Sequence, residues 1–158
     1  AGTPERGKIK SSAGIGALLL EGIGDTMRVS LTADPVKEVV FAKELLASLG
    51  IRKDDIEIVS CPTCGRTEVD LEKIAESIEA RTEELRKKGV SGIRIAVMGC
   101  VVNGPGEARD SDIGVACGRG KGVIFSKGEI ISTVEEEDIA EEIIRLAWEY
   151  DRNTGRFD

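Results

Sequence analysis

Apolar and polar positions alternate in blocks along the chain: short β-branched runs separated by longer stretches of helical periodicity, several closed by glycine. Residues 1–12 (AGTPERGKIKSS) are polar and contain Gly and Pro, which predicts a loop. Ser12 then serves as the N-cap of a helix over AGIGALLLEGIGDT, ending around Gly22–Gly24. MRVSL (27–31) reads as a short strand. Thr32 or Asp34 caps the next helix, Pro35 suits its first turn, and Gly50 ends it. IEIVS (56–60) is a second strand that delivers the chain straight into Cys61. Asp70 opens a helix over about 70–88, with Lys and Arg crowding its end and Gly89 closing it. IRIAVMG (93–99) is a third strand and ends on Cys100.

From residue 112 the pattern shortens to β segments, DIGVAC and GVIFSKGEIIST, the latter a hairpin around Lys127-Gly128. A helix with an acidic start follows from about Glu135 to Tyr150, and DRNTGRFD reads as a frayed tail. Strands alternating with helices predict an α/β fold with a mixed sheet, parallel in the centre and flanked by helices.

At 158 residues the chain can bury a core without help from a metal or a disulfide. It opens on Ala1 rather than Met, so a processed or excised piece of a longer protein is expected. A net charge of −7 with 32% charged residues fits a soluble, cytoplasmic protein and argues against a nucleic-acid partner, which needs a basic surplus. With only 3% aromatic residues, base-stacking platforms are not expected either. No apolar run approaches the roughly 18 residues of a membrane span, and no secretory pattern is present, so no membrane partner is expected. Histidine is absent. That excludes His-bearing zinc sites, Ser–His and Cys–His catalysis, and Rieske-type clusters.

The four cysteines therefore read as metal or redox residues. Cys61 and Cys64 lie in SCPTCG, just past one strand, and Cys100 lies just past another. In a parallel sheet those ends share one edge, where ligands collect. The run VVNGPGEARD after Cys100 forces a tight turn at Gly104-Pro105-Gly106 that can return Glu107 toward the thiols. Cys117 ends a later β segment. A zinc ribbon would want a second knuckle, and Cys100 and Cys117 are too far apart in sequence to form one. A thioredoxin-like dithiol would have no use for Cys100. An iron–sulfur site uses Cys61, Cys64 and Cys100 and needs a fourth ligand. Cys117 would make it a closed electron carrier; Glu107 would leave one iron with an exchangeable oxygen ligand, suited to catalysis. The residues alone leave these two open.

SCPTCGRT, GCVVNGPGEARDSDIGVA and KIKSSAGIGALLLEGIGDTMRVSLTADPVKEV together resemble the C-terminal part of the 4-hydroxy-3-methylbut-2-enyl diphosphate synthase family, over residues 1–133. The resemblance implies a [4Fe–4S] cluster held by Cys61, Cys64, Cys100 and Glu107, with Cys117 a bystander. It implies reductive opening of 2-C-methyl-D-erythritol 2,4-cyclodiphosphate, with electrons from ferredoxin or flavodoxin. Asn103 resembles the residue that reaches toward substrate. Arg28 and Ser30, two apart on one face, resemble diphosphate contacts on a barrel strand, with Lys10 a weaker candidate of the same kind.

The family's members carry a (β/α)8 barrel before the cluster domain, and that domain covers the barrel of a dimer partner. Here residues 1–52 would be a barrel remnant and 53–158 the cluster domain, with the rest of the barrel missing. The isolated chain is then expected to hold its cofactor but not to turn over. The reading from a different class is a structural zinc-binding or electron-carrier module without substrate.

Overall fold

The computed structural model describes residues 1–101, 106 and 110–153, the last three by their backbone alone. The chain forms two compact units, Ala1–Lys53 and Asp54–Asp158.

The first unit contains helices α1 (Pro4–Leu20) and α2 (Pro35–Ser48). α1 begins at Pro4 rather than after Ser12, so the loop expected at 1–12 is largely helix. Proline at the first helical position needs no N–H partner and has its φ already set. Its first half was hidden because the buried positions there are Gly7 and Ser11, not large apolar residues. Gly7 is small for a reason: a β-carbon there would lie 2.6 Å from Leu31 Cδ2. α1 ends where expected, with Gly22 at φ +74° and bonds from Gly22 N–H to Leu19 O and Ile23 N–H to Leu18 O that satisfy its last carbonyls.

Residues 27–31 form no ladder, which corrects the strand reading. Their period-two pattern is real: Val29 and Leu31 are buried with Phe41 and Leu45 of α2, while Arg28 is exposed. Without a neighbouring strand, the backbone is held from elsewhere. Leu31 N–H donates to Glu38 Oε1 at 2.7 Å and Thr32 N–H to Gly2 O at 2.8 Å. α2 follows the sequence reading closely, with the Asp34 carboxylate accepting from Val36 N–H at 2.8 Å and Gly50 at φ +69° just past its end.

The second unit is a five-stranded sheet in the order β1 (Glu57–Ser60), β2 (Arg94–Met98), β3 (Ile113–Gly118), β4 (Lys121–Ser126), β5 (Glu129–Glu135). β1, β2 and β3 are parallel and β3, β4 and β5 antiparallel, so the sheet is mixed as expected. Helix α3 (Leu71–Lys87) connects β1 to β2. After β5 a 3₁₀ turn (Glu136–Asp138) leads into α4 (Ile139–Asn153), which carries the backbone on through part of the expected tail. Two turns join the antiparallel strands through pairs of positive φ, Arg119-Gly120 and Lys127-Gly128, the pattern of a two-residue hairpin. Only the second was read from the sequence.

Both α3 and α4 cover one face of the sheet. Leu71, Ile74, Ile78 and Leu85 of α3 and Ile139, Ile143 and Ala147 of α4 meet Ile95, Val97, Ile113, Val115, Cys117 and Ile124. On the opposite face Ala96, Met98, Ala116 and Phe125 form a thinner layer. At the start of β3, Asp112 ties strands to helix: its carboxylate accepts from Arg94 N–H at 2.9 Å and from the Tyr150 hydroxyl at 2.7 Å. β5 is the outer strand, and Ile130 and Ile131 on it are 74% and 49% exposed.

Candidate functional site

The parallel strands β1 and β2 end on the same edge of the sheet and carry Cys61 and Cys100 just beyond their last residues. The parallel ladder runs one step past β1, since Cys61 N–H donates to Val97 O at 3.2 Å. That bond fixes the backbone of Cys61 to the end of β2. The chain just beyond β2 returns the contact: Gly99 N–H donates to Cys61 Sγ at 3.2 Å. That N–H ties the two cysteine-bearing loops together through the sulfur itself.

Cys64 is exposed. The backbone N–H of Arg66, and then its guanidinium, hold the Cys64 thiol below its ordinary range. The turn carrying it is closed by Thr67, whose N–H donates to Cys64 O at 3.0 Å and whose Oγ1 accepts from Cys64 N–H at 3.2 Å. Thr67 also fills the space beside Gly99. A β-carbon at Gly99 would lie 2.9 Å from Thr67 Oγ1, 3.1 Å from its Cγ2 and 3.0 Å from Leu71 Cδ2. Sequence reasoning singled out neither Thr67 nor Gly99, because their contact joins loops on either side of α3.

Cys117 lies on the helix-covered face of the sheet, fully buried. Burial pushes its thiol up to about 12, with Glu136 and Cys61 adding in the same direction. A neutral thiol set in an apolar core is a packing residue. Asn103, Glu107 and the Gly104-Pro105 turn lie outside the described residues. Among the described residues no group of three or more Cys, Asp or Glu is placed to hold a metal ion. The donor set nonetheless suits an iron–sulfur cluster: soft thiol ligands on adjacent strand ends, one receiving a backbone N–H and one with a depressed pKa.

In the first unit Lys10 lies exposed on α1, not in a loop. Arg28 is exposed and Ser30 half-buried, alternating with the buried Val29 and Leu31. Among the described residues no helix is long and apolar enough to cross a membrane.

The family described as GcpE protein C-terminal domain matches residues 57–149, and GcpE TIM-barrel domain matches residues 1–43. The chain belongs to the GcpE family. The barrel-domain match covers α1 and the greater part of α2. A curated GcpE relative from Clostridium perfringens, named 4-hydroxy-3-methylbut-2-en-1-yl diphosphate synthase (flavodoxin), is 60% identical over 92% of this chain and 41% of its own length. Relatives of the same name from Clostridium acetobutylicum and Caldanaerobacter subterraneus are 59% and 54% identical, over 92% of this chain and 40% of their own lengths. The chain thus spans about 40% of the length of these relatives.

Proposed function

We propose that the chain is the cluster-bearing C-terminal part of a 4-hydroxy-3-methylbut-2-enyl diphosphate synthase, an oxidoreductase of isoprenoid biosynthesis that draws electrons from flavodoxin or ferredoxin in the cytoplasm. The observation that carries this reading is the placement of Cys61 and Cys100 at neighbouring strand ends in a chain so similar to relatives of that name. Cys61, Cys64, Cys100 and Glu107 would hold a [4Fe–4S] cluster. When bound, the cluster supplies electrons and a Lewis-acidic iron for reductive opening of the cyclic diphosphate, with loss of water.

The chain's own residues divide the remaining work. Gly99 N–H donates to Cys61 Sγ and holds it at the strand end, and Arg66 favours the thiolate of Cys64. Lys10, Arg28 and Ser30 supply a cation, a guanidinium fork and a hydroxyl, the chemistry that recognises phosphate oxygens. Asn103 orients substrate near the cluster. Residues 1–52 act as part of the barrel and 53–158 as the cluster domain, completed in the whole enzyme by further barrel elements and a dimer partner.

The test is anaerobic reconstitution with iron, sulfide and zinc analysis and EPR of the reduced protein. About four irons and four sulfides per chain are expected, with a spectrum altered in Glu107→Ala and unchanged in Cys117→Ala. One tightly held zinc and no cluster would overturn the reading in favour of a structural zinc module. A cluster indifferent to Glu107→Ala would favour a plain electron carrier.

A further inference from the structure

Thr67 sits where the two cysteine-bearing loops meet, and it touches both through different atoms. Its backbone N–H and Oγ1 close the turn around Cys64, with bonds of 3.0 Å to Cys64 O and 3.2 Å from Cys64 N–H. Its side chain also covers the Cα of Gly99, leaving no room for a β-carbon there. Gly99 in turn is the residue whose N–H reaches Cys61 Sγ. Leu71, at the start of α3, backs the same contact from the other side.

We propose that Thr67 is a positioning residue that clamps the Cys64 turn onto the backbone of Gly99, and so holds the Gly99 N–H on Cys61 Sγ. The clamp rests on the reading of these cysteines as cluster ligands for its effect on redox chemistry, but not for its existence. Hydrogen bonds to ligand sulfur stabilise the more negative, reduced cluster and raise its potential. A side chain that fixes such a donor therefore tunes the potential without touching iron. The side chain has two tasks. Oγ1 accepts from Cys64 N–H, and Oγ1 and Cγ2 together fill the space over Gly99. Serine keeps the first, valine keeps the second, and alanine keeps neither.

The test is a double-mutant cycle on the full 158-residue chain with Gly99→Ala and Thr67→Ala, read in two ways. In the metal-free chain, thermal unfolding reads the contact itself. Gly99→Ala is expected to lower Tm, and Thr67→Ala to recover more than half of that loss by vacating the space. Additive losses would overturn the clamp. In the reconstituted chain, Gly99→Ala is expected to lower the midpoint potential and alter the EPR spectrum at unchanged iron content. Thr67→Val is expected to alter the spectrum less than Thr67→Ala, and Thr67→Ser to restore the part due to Oγ1. Identical potentials and spectra in all four variants would overturn the tuning role. If the unmodified chain takes up zinc and no cluster, the functional reading falls and the tuning role with it, while the unfolding cycle still decides the clamp.

Discussion

The Tyr150 hydroxyl donates to Asp112 Oδ1 at 2.7 Å, joining the end of the last helix to the start of the central strand β3. The same carboxylate accepts from Arg94 N–H at the start of β2, so one aspartate sets the register of two strands and docks a helix on them. The hydrogen bond to Asp112 is the main cause that raises the Tyr150 pKa, with burial second. A raised pKa means that the folded state favours the protonated phenol. Its contribution is complete below the ordinary tyrosine value of about 10 and is lost as pH climbs through the folded value. Tyr150→Phe is expected to cost about 1 kcal/mol near neutral pH, a modest figure because the site is partly exposed. The variant's deficit should shrink in alkali, as followed by urea unfolding at about pH 7 and about pH 11. A deficit constant with pH would remove Asp112 as the cause.

The cysteines should separate sharply by reactivity. Cys64 is exposed with a lowered pKa, whereas Cys117 is buried and pushed up to about 12. In the metal-free chain iodoacetamide followed by peptide mass spectrometry should modify Cys64 first and Cys117 only on unfolding. Rapid native-state labelling of Cys117 would contradict its place under α4. The sign of its linkage matches that of Tyr150: the raised value stabilises the fold up to about pH 9 and is lost as pH rises toward about 12.

Gly114 is overlain by the ring of Phe125 from the adjacent strand, and a β-carbon there would also lie 3.0 Å from Ala96 Cβ. Gly114→Ala should destabilise the second unit by about 1–3 kcal/mol through overpacking. Adding Phe125→Leu should recover part of the loss, measured by denaturant midpoint. Failure of the second change to help would place the strain elsewhere.

Supplied with the cyclic diphosphate and a flavodoxin-type reductant, the 158-residue chain alone should give no product above background, because its relatives carry more than twice its length. Multiple turnover by the isolated chain, followed by phosphorus NMR, would show that the extra length is dispensable.

Much of this fold follows from local chemistry. Asp70 and Gly89 bracket α3 because an N-cap carboxylate and a left-handed glycine are local devices, and both are in place. The cysteine edge was legible because parallel strands must end together. The failures were tertiary. The first half of α1 escaped notice because Gly7 and Ser11 bury its face without apolar bulk. Residues 27–31 had the alternation of a strand but lack the partner that makes one. The Thr67–Gly99 contact joins segments on either side of a helix, and no spacing rule announces it.

Among the described residues the outer rim of β5, the strand that carries the exposed Ile130 and Ile131, pairs with no other strand. Such a rim invites a second copy to add its own strand. Antiparallel self-pairing centred on Ser132 would set Glu129 opposite Glu135 at both ends, and like charges facing across strands repel. Lys121, 3.1 Å from Glu135, relieves only one member of each pair. The glutamates that bracket this strand thus work against the edge-to-edge pairing that its rim would otherwise favour.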